Sequence, residues 1–462
     1  MIMNIMEIYS RFKECGQVTT DTRTLKGGEM FFALKGENFD GNDYAAKALD
    51  AGAACVVVNE SSDFGKKVAA GEYGVHEGKV ILVEDTLITL QELARWHRSM
   101  TFVGGRPLPV IALTGTNGKT TTKELIREVL SVKYKVTATE GNLNNSIGVP
   151  LTLLKIDSET QIAVVEMGAS HPGDIRELVN IALPNYGLIT NVGKAHLLGF
   201  GSFEGVMQTK GELYDYLRRT ADKVFLNVDN PYLCRMASER SLHHDSERPE
   251  ESLVIPYGLE YSKAEVLPSS PEHPFLRLRL QHDVMISTNL VGSYNADNVI
   301  AALAVGAQFG ISLSDAIKAI ESYVPSNNRS QMVRTASNTL IVDAYNANPT
   351  SMEAALRNFS GVEAETKVAM LGDMLELGEE SLKEHVRIAS LALEADCSKV
   401  CFVGGEFAEA LAQIGEETHV KALSFGTSAE LAGWLEENAV SGAVVLIKGS
   451  RGTRMEKVIE KL

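Results

Sequence analysis

The sequence predicts an α/β protein of three domains: a smaller N-terminal α/β domain over residues 1–105, a central parallel-sheet domain over 106–324, and a C-terminal Rossmann-like, doubly wound domain over 325–462. Three observations carry this. At about 150 residues per domain, 462 residues correspond to about three domains. Short apolar runs alternate with helical stretches, the pattern of parallel strands joined by crossover helices. Two breaks divide the chain, at Gly104-Gly105-Arg106-Pro107-Leu108-Pro109 and near Val324-Pro325-Ser326-Asn327-Asn328.

In the first segment Met30-Phe31-Phe32-Ala33-Leu34 reads as a buried strand, Asp43 to Ala54 as a helix and Cys55-Val56-Val57-Val58 as the next strand. The Gly104–Pro109 stretch reads as a flexible, helix-breaking linker. The central segment opens on Val110-Ile111-Ala112-Leu113, too short for a helix. A Gly-rich turn and a helix from Lys119 to about Ser131 follow, then strands at Ile162–Val165 and Gly187–Thr190. The stretch from Ala237 to Glu272 is polar and reads as an exposed loop or an irregular sheet insertion. Its adjacent His243 and His244 cannot face one ion from a strand. In the third segment Leu340–Val342 precedes a helix beginning near Ser351, Val368–Leu371 precedes a helix through His385, and Ala443–Ile447 precedes a C-terminal helix to Leu462.

Composition excludes several classes. With 44% hydrophobic and 23% charged residues the chain is an ordinary soluble one. A net charge of -16 argues against sequence-independent nucleic-acid binding, which needs Lys and Arg against phosphate. It leaves room for a nucleotide held at a local positive site or by metal ions. The five cysteines, odd in number and scattered, make no disulfide framework. No basic start followed by an apolar run marks a signal peptide, and no stretch approaches the ~20 apolar residues of a membrane span. The expectation is a cytoplasmic, monomeric enzyme.

The sharpest local signal is Gly115-Thr116-Asn117-Gly118-Lys119-Thr120-Thr121 between a strand and a helix, which makes the central domain P-loop ATPase-like. Glycines let backbone amides turn toward a ligand, and the positive end of the following helix holds phosphate oxygens. Lys119 reaches the β and γ phosphates and the Thr120 hydroxyl holds Mg²⁺. The general pattern wants a glycine where Leu113 stands, so a chance Gly-Lys-Thr turn is the alternative.

This loop variant resembles that of the Mur ligases and their folate-ligating relatives. Gly141-Asn142-Leu143-Asn144-Asn145, Glu166-Met167-Gly168, Asn191-Val192-Gly193-Lys194-Ala195-His196 and Lys210-Gly211-Glu212 resemble further motifs of that family, in its order. Asp343-Ala344-Tyr345-Asn346-Ala347-Asn348-Pro349, Leu371 to Gly378, and Lys448-Gly449-Ser450-Arg451 resemble the member that adds a dipeptide rather than a single amino acid. A second acid often precedes the Asp343 motif; here Val342 stands there.

The resemblance implies an ATP-dependent ligase whose substrates are UDP-N-acetylmuramoyl-tripeptide and D-alanyl-D-alanine. The tripeptide carboxylate attacks the γ-phosphate, and the dipeptide amine then displaces phosphate from the acyl phosphate. It further implies Thr120 and Glu166 as ligands of one Mg²⁺, His196 as a ligand of a second, and a carbamylated Lys210. A Lys210 paired with Glu212 on a solvated helix face, and a His196 serving only as a core histidine, are the alternatives. Asn295 is implied as the adenine reader. Arg329 and Asp343 are implied to reach ATP once the third domain closes. Asn298, in the same stretch as Asn295, has a helix cap as its alternative. Thr22 and Arg23 are implied for the UDP end, with a charged surface turn as the alternative. Asn142 and Asn144 of the Asn-rich loop are also substrate-binding candidates, as are Asn346 and Asn348 at the dipeptide pocket. Arg451 is placed to meet a carboxylate.

Overall fold

The computed structural model describes residues 4–72, 78–270, 273–326, 329–415 and 421–462. Part of the second break, at 327–328, and the end of the polar insertion, at 271–272, lie outside them. The chain forms two compact units: 1–113, 134–168 and 173–187 make the first, and 114–133, 169–172 and 188–462 the second.

The N-terminal elements are α1 (Ile5–Cys15), β1 (Val18–Thr19), β2 (Met30–Phe32), α2 (Ala45–Asp50), β3 (Cys55–Asn59), α3 (Asp63–Ala69), β4 (Val80–Val83) and α4 (Thr86–Ser99). The four strands pair in chain order, all parallel. The expected 43–54 helix is shorter: a 3-10 turn over Gly41–Tyr44 leads into α2, and Gly52 at φ 96° ends the run. Asn4 caps α1 in a capping box with Glu7. The expected linker is instead a hairpin of β5 (Phe102–Val103) and β6 (Arg106–Pro107), with Gly104 and Gly105 at positive φ in its turn.

His97, on α4, is buried against the edge of Phe12, with ring centroids 5.2 Å apart. Its Nε2 lies 2.7 Å from the Ile156 carbonyl, which only accepts, so Nε2 carries the proton. Burial holds the ring's pKa below its ordinary value. The unfolded chain, with a pKa of about 6.5, therefore binds a proton that the folded ring resists. Stability should fall as pH drops below about 6.5, and His97→Gln should flatten that dependence; chemical denaturation at a series of pH values measures it.

The central elements are β7 (Val110–Thr114), α5 (Lys119–Ser131), β8 (Val136–Ala138), α6 (Gly148–Leu153), β9 (Ile162–Glu166), α7 (Asp174–Ala182), β10 (Tyr186–Ile189), α8 (Leu197–Phe200), α9 (Phe203–Thr220), β11 (Lys223–Asn227), α10 (Pro231–Ser238), β12 (Val254–Tyr257), β13 (Glu265–Leu267), β14 (Arg277–Arg279), β15 (Met285–Ser287), α11 (Ala296–Gln308) and α12 (Leu313–Ser322). A six-stranded sheet runs β12-β11-β10-β7-β9-β8. Strands β7 and β9 are buried along their whole length, as expected of strands covered on both faces. The polar insertion supplies β12, paired parallel to β11, and β13, which opens a small antiparallel sheet with β14 and β15. His244 lies against the Val254 carbonyl, and among the described residues no cluster of three His, Cys, Asp or Glu is arranged to hold an ion.

The third domain contains β16 (Gln331–Arg334), β17 (Thr339–Asp343), α13 (Pro349–Ser360), β18 (Lys367–Gly372), α14 (Ser381–Glu394), β19 (Lys399–Val403), α15 (Gly405–Ile414), β20 (Ala422–Phe425), α16 (Ser428–Glu437) and β21 (Val444–Lys448). The sheet order is β16-β17-β21-β18-β19-β20, with only β16 antiparallel to its neighbour. Alternation along β18 builds two cores: Ala369 and Leu371 pack under Phe359, Ile388 and Phe407, while Val368 and Met370 join Leu431, Leu435 and Met455. Two expectations are corrected. The helix expected to end at His385 begins at Ser381, after a loop. The expected C-terminal α-helix is two 3-10 pieces, Arg451–Thr453 and Met455–Lys461, separated by Arg454 at φ 50°. Met455 and Val458, three apart, share the buried side that a 3-10 turn presents.

Candidate active site

The phosphate loop sits where β7 ends and α5 begins. Gly115 and Gly118 are required there: a Cβ on Gly115 would lie 1.9 Å from Thr190 Oγ1, and one on Gly118 (φ 78°) 2.6 Å from Asn298 Oδ1. Gly118 is the N-cap of α5 and offers its first turn no side-chain oxygen, which suits an anion in that position. The Asn191–His196 segment shapes the loop. Asn117 N donates to Asn191 Oδ1 (2.9 Å), Thr190 Oγ1 to Asn117 O (2.6 Å), and Gly193 N to Thr116 Oγ1 (2.9 Å). Lys119 Nζ lies across the loop, donating to the carbonyls of Gly115 (2.8 Å) and Thr116 (3.2 Å). Thr120 and Thr121 are buried in the first turn of α5.

His196 opens α8 with a left-handed backbone, φ 50°. Its Nδ1 is hydrogen-bonded to Glu376 Oε2. Burial pulls the His196 pKa down. Glu376 opposes that, and the charges of Lys119 and Lys210 add to the lowering, so all three groups act on one ring. Lys210 is 3% exposed on α9, its Nζ 5.8 Å from the centre of the Phe200 ring. The solvated-face alternative for Lys210 therefore falls.

In the first unit, Glu166 is 1% exposed at the end of β9. Asn144 Nδ2 donates to its Oε1 at 2.8 Å, and Thr139 Oγ1 accepts from its backbone N–H. Asn142 is exposed. Also in this unit, the Arg23 guanidinium forks onto Asp21 (2.9 and 2.6 Å) in an exposed turn and holds that carboxyl below its ordinary range; Thr22 beside it is half-buried.

The third domain brings its motifs to the loop. Asn348 caps α13 through Ser351 N (2.9 Å), and its Nδ2 donates to Asn117 Oδ1 at 2.8 Å. A Cβ on Gly193 would meet Thr350 Oγ1 at 2.7 Å. Lys194 pairs with the buried Glu384 at 2.5 Å. Burial alone would raise the Glu384 pKa, but Lys194 and Arg387 outweigh it and hold the carboxyl below its usual range. Asp343 pairs with the buried Lys448 at 2.5 Å. The Arg329 guanidinium stacks 3.8 Å from the centre of the Tyr345 ring, with that of Arg451 at 5.7 Å. Arg329 Nε is buried with no hydrogen-bond partner among the described residues, a donor set for an anion.

The arrangement is a phosphate cradle with a lysine across it, with Lys210 close enough to act on the same histidine and with Asn348 and Thr350 of the third domain against the loop. Three family models cover most of the chain: the Mur ligase family catalytic domain at 15–98, the Mur ligase middle domain at 113–306, and the Mur ligase glutamate ligase domain at 328–451. The chain belongs to the Mur ligase family. It is 34% identical to the UDP-N-acetylmuramoyl-tripeptide–D-alanyl-D-alanine ligase of Bacillus subtilis, over 96% of this chain and 92% of that protein. The Escherichia coli enzyme of the same name matches at 34% over 96% and 93%. Among solved structures, MurF from Acinetobacter baumannii superposes with a TM-score of 0.79 at 30% identity, covering 96% of this chain and 93% of that one. MurF from Thermotoga maritima in complex with ADP gives 0.76 at 26%, covering 96% of each.

In this Mur ligase several predicted residues have other duties. Asn295 is buried and gives both amide protons away, to Val291 O (2.8 Å) and Ser330 Oγ (3.1 Å), so its NH₂ is not presented to a base. Asn298 is not a cap: it accepts from Thr122 and donates to Asn295. Asn348 caps α13 and donates to Asn117. Asn346 and Arg451 are exposed. Sequence reasoning missed Glu376, Glu384 and Asn191 as contributors, although Glu376 and Asn191 lie inside quoted motifs. Asn348→Ala should lose about 1 kcal/mol of third-domain stability with the cap, whereas Asn348→Asp keeps the cap and loses only the donor to Asn117. Urea melts of the two variants separate these contributions.

Proposed function

We propose that the chain is an ATP-dependent ligase that adds D-alanyl-D-alanine to UDP-N-acetylmuramoyl-tripeptide, making the pentapeptide precursor of peptidoglycan. The observation that carries this is the 34% identity to the UDP-N-acetylmuramoyl-tripeptide–D-alanyl-D-alanine ligase of Bacillus subtilis over 96% of the chain, third domain included, around an intact phosphate loop. Among the described residues no helix is long and apolar enough to cross a membrane. We place the enzyme in the cytoplasm, as a monomer.

In this reading residues 1–105 hold the UDP end through Thr22 and Arg23, 106–324 bind ATP, and 325–462 bind the dipeptide and close over the nucleotide. The tripeptide carboxylate attacks the γ-phosphorus, giving an acyl phosphate and ADP. The dipeptide amine then attacks the acyl carbon and phosphate leaves. Negative charge stays on phosphoryl oxygens throughout, so catalysis is positioning plus cationic stabilisation. The Gly115–Thr121 amides cradle the phosphates, Lys119 exchanges its two carbonyl contacts for phosphate oxygens, and Arg329 supplies a further donor. Asp343 serves the ribose by exchanging part of its pairing with Lys448.

The Thr120 hydroxyl, the Glu166 carboxylate and a carbamate on Lys210 offer oxygens, the ligands that Mg²⁺ as a hard cation prefers, with a nitrogen from His196 beside them. The family resemblance assigns the Thr120 hydroxyl and the Glu166 carboxylate to one ion, and His196 with a carbamate on Lys210 to a second. Magnesium would neutralise phosphate charge. Carbamylation would join the Lys210 nitrogen to CO₂ with loss of two protons from the ammonium form, one to free the amine and one on forming the N–C bond, which turns a buried cation into an anionic oxygen ligand.

A coupled assay of ADP formation tests the reading, with UDP-muramoyl-tripeptides bearing either of two third residues and with D-alanyl-D-alanine or free amino acids as acceptor. Turnover with the dipeptide is expected; phosphate release only with a single amino acid would refute it.

A further inference from the structure

We propose that Glu376, delivered by the third domain, is a positioning residue for His196, fixing the ring's rotation and its Nδ1–H tautomer so that Nε2 presents its lone pair to the reaction. This rests on the reading of His196 as a site residue.

The contact is built from both sides. Glu376 Oε2 is hydrogen-bonded to His196 Nδ1, and the Glu376 carbonyl accepts from Leu198 N at 3.2 Å. A carboxylate only accepts, so the shared proton belongs to Nδ1. Both residues hold left-handed backbones, His196 at φ 50° and Glu376 at φ 65°. Non-glycine residues in that region persist where the surroundings over-determine them, and they gather at functional sites. Gly378, two residues on, also lies at positive φ (59°), a backbone that glycine takes without strain.

The loop bearing Glu376 is itself fixed. Leu375 N donates to Ser450 Oγ (3.1 Å), and Met374 N donates to Nε2 of the fully buried His385 (3.0 Å). That bond requires His385 Nε2 to be unprotonated, so its Nδ1–H donates to the Ser381 carbonyl (2.8 Å). Met374 and Leu377 anchor the loop in the core. The Glu376 side chain is 58% exposed, so its pairing adds little to stability and its value lies in orientation. A carboxylate that orients a ligating imidazole from behind is worth about 10–100-fold in metal affinity or activity. Here that carboxylate comes from a different domain, which makes His196 competent only when the third domain is seated.

The test uses the full chain with Glu376→Ala and Glu376→Gln. Long-range ¹H–¹⁵N spectra of histidine-labelled enzyme with ADP, assigned by the signal lost in His196→Ala, should show His196 as the Nδ1–H tautomer. In Glu376→Ala a mixture is expected. Turnover of Glu376→Ala should fall about 10–100-fold with KM for ATP little changed, and Glu376→Gln, whose amide oxygen still accepts from Nδ1–H, should recover most of it. An unchanged His196 tautomer in Glu376→Ala, or Glu376→Gln as slow as Glu376→Ala, overturns the proposal. A fully active His196→Ala would instead refute the role given to His196 itself.

Discussion

Replacing Lys119 by alanine is expected to cut turnover about 10²–10³-fold, equivalent to about 2.7–4 kcal/mol of transition-state stabilisation, while leaving the fold intact. The side chain's contacts given above are to the Gly115 and Thr116 carbonyls, inside its own loop. The loop's shape is held independently by Asn191, Thr190 and Gly193. Alanine therefore removes the cation from a cradle whose shape other residues hold. Rapid-quench measurement of ADP formation at saturating substrates, beside a thermal melt, gives the answer. Turnover close to the parent's would mean that the loop does not hold the transferred phosphoryl group.

The second large effect is at Lys210. Lys210→Ala should lose at least about 10²-fold in turnover, more than the loss of a supporting contact costs. A short-chain carboxylic acid should restore part of it by placing an oxygen where the carbamate stood. Truncating a side chain that is 3% exposed also leaves a cavity, so chemical rescue separates lost chemistry from lost packing. Lys210→Gln, similar in volume and unable to form a carbamate, should be equally slow. Full activity in either variant would remove Lys210 from the mechanism.

Much of this was legible in the chain. The helix Lys119–Ser131 lies where the loop pattern and its periodicity put it, and the apolar runs at 110–113, 162–165 and 368–371 are strands. These signals are local. The failures have local causes too. Gly104-Gly105 serves a linker and a hairpin turn equally well, and only the pairing of Phe102 with Pro107 decides between them. Met455, Val458 and Leu462 fit an α-helical period, but the Met455–Val458 spacing of three suits a 3-10 turn as well. The site's residue types were readable, but their partners were not: Asn348 meets Asn117 across 231 positions and Glu376 meets His196 across 180. No short-range pattern encodes such pairs, which come from the sheet topology and the seating of the third domain.

That topology also governs synthesis. β21 is the last strand in chain order, yet it lies between β17 and β18, hydrogen-bonded to both. While the ribosome is still translating residues 444–448, those two strands present open edges with nothing between them. Premature termination in that stretch, or a stall before it, should leave a nascent third domain whose unpaired strands recruit chaperones or one another, while the preceding domains are already free to fold.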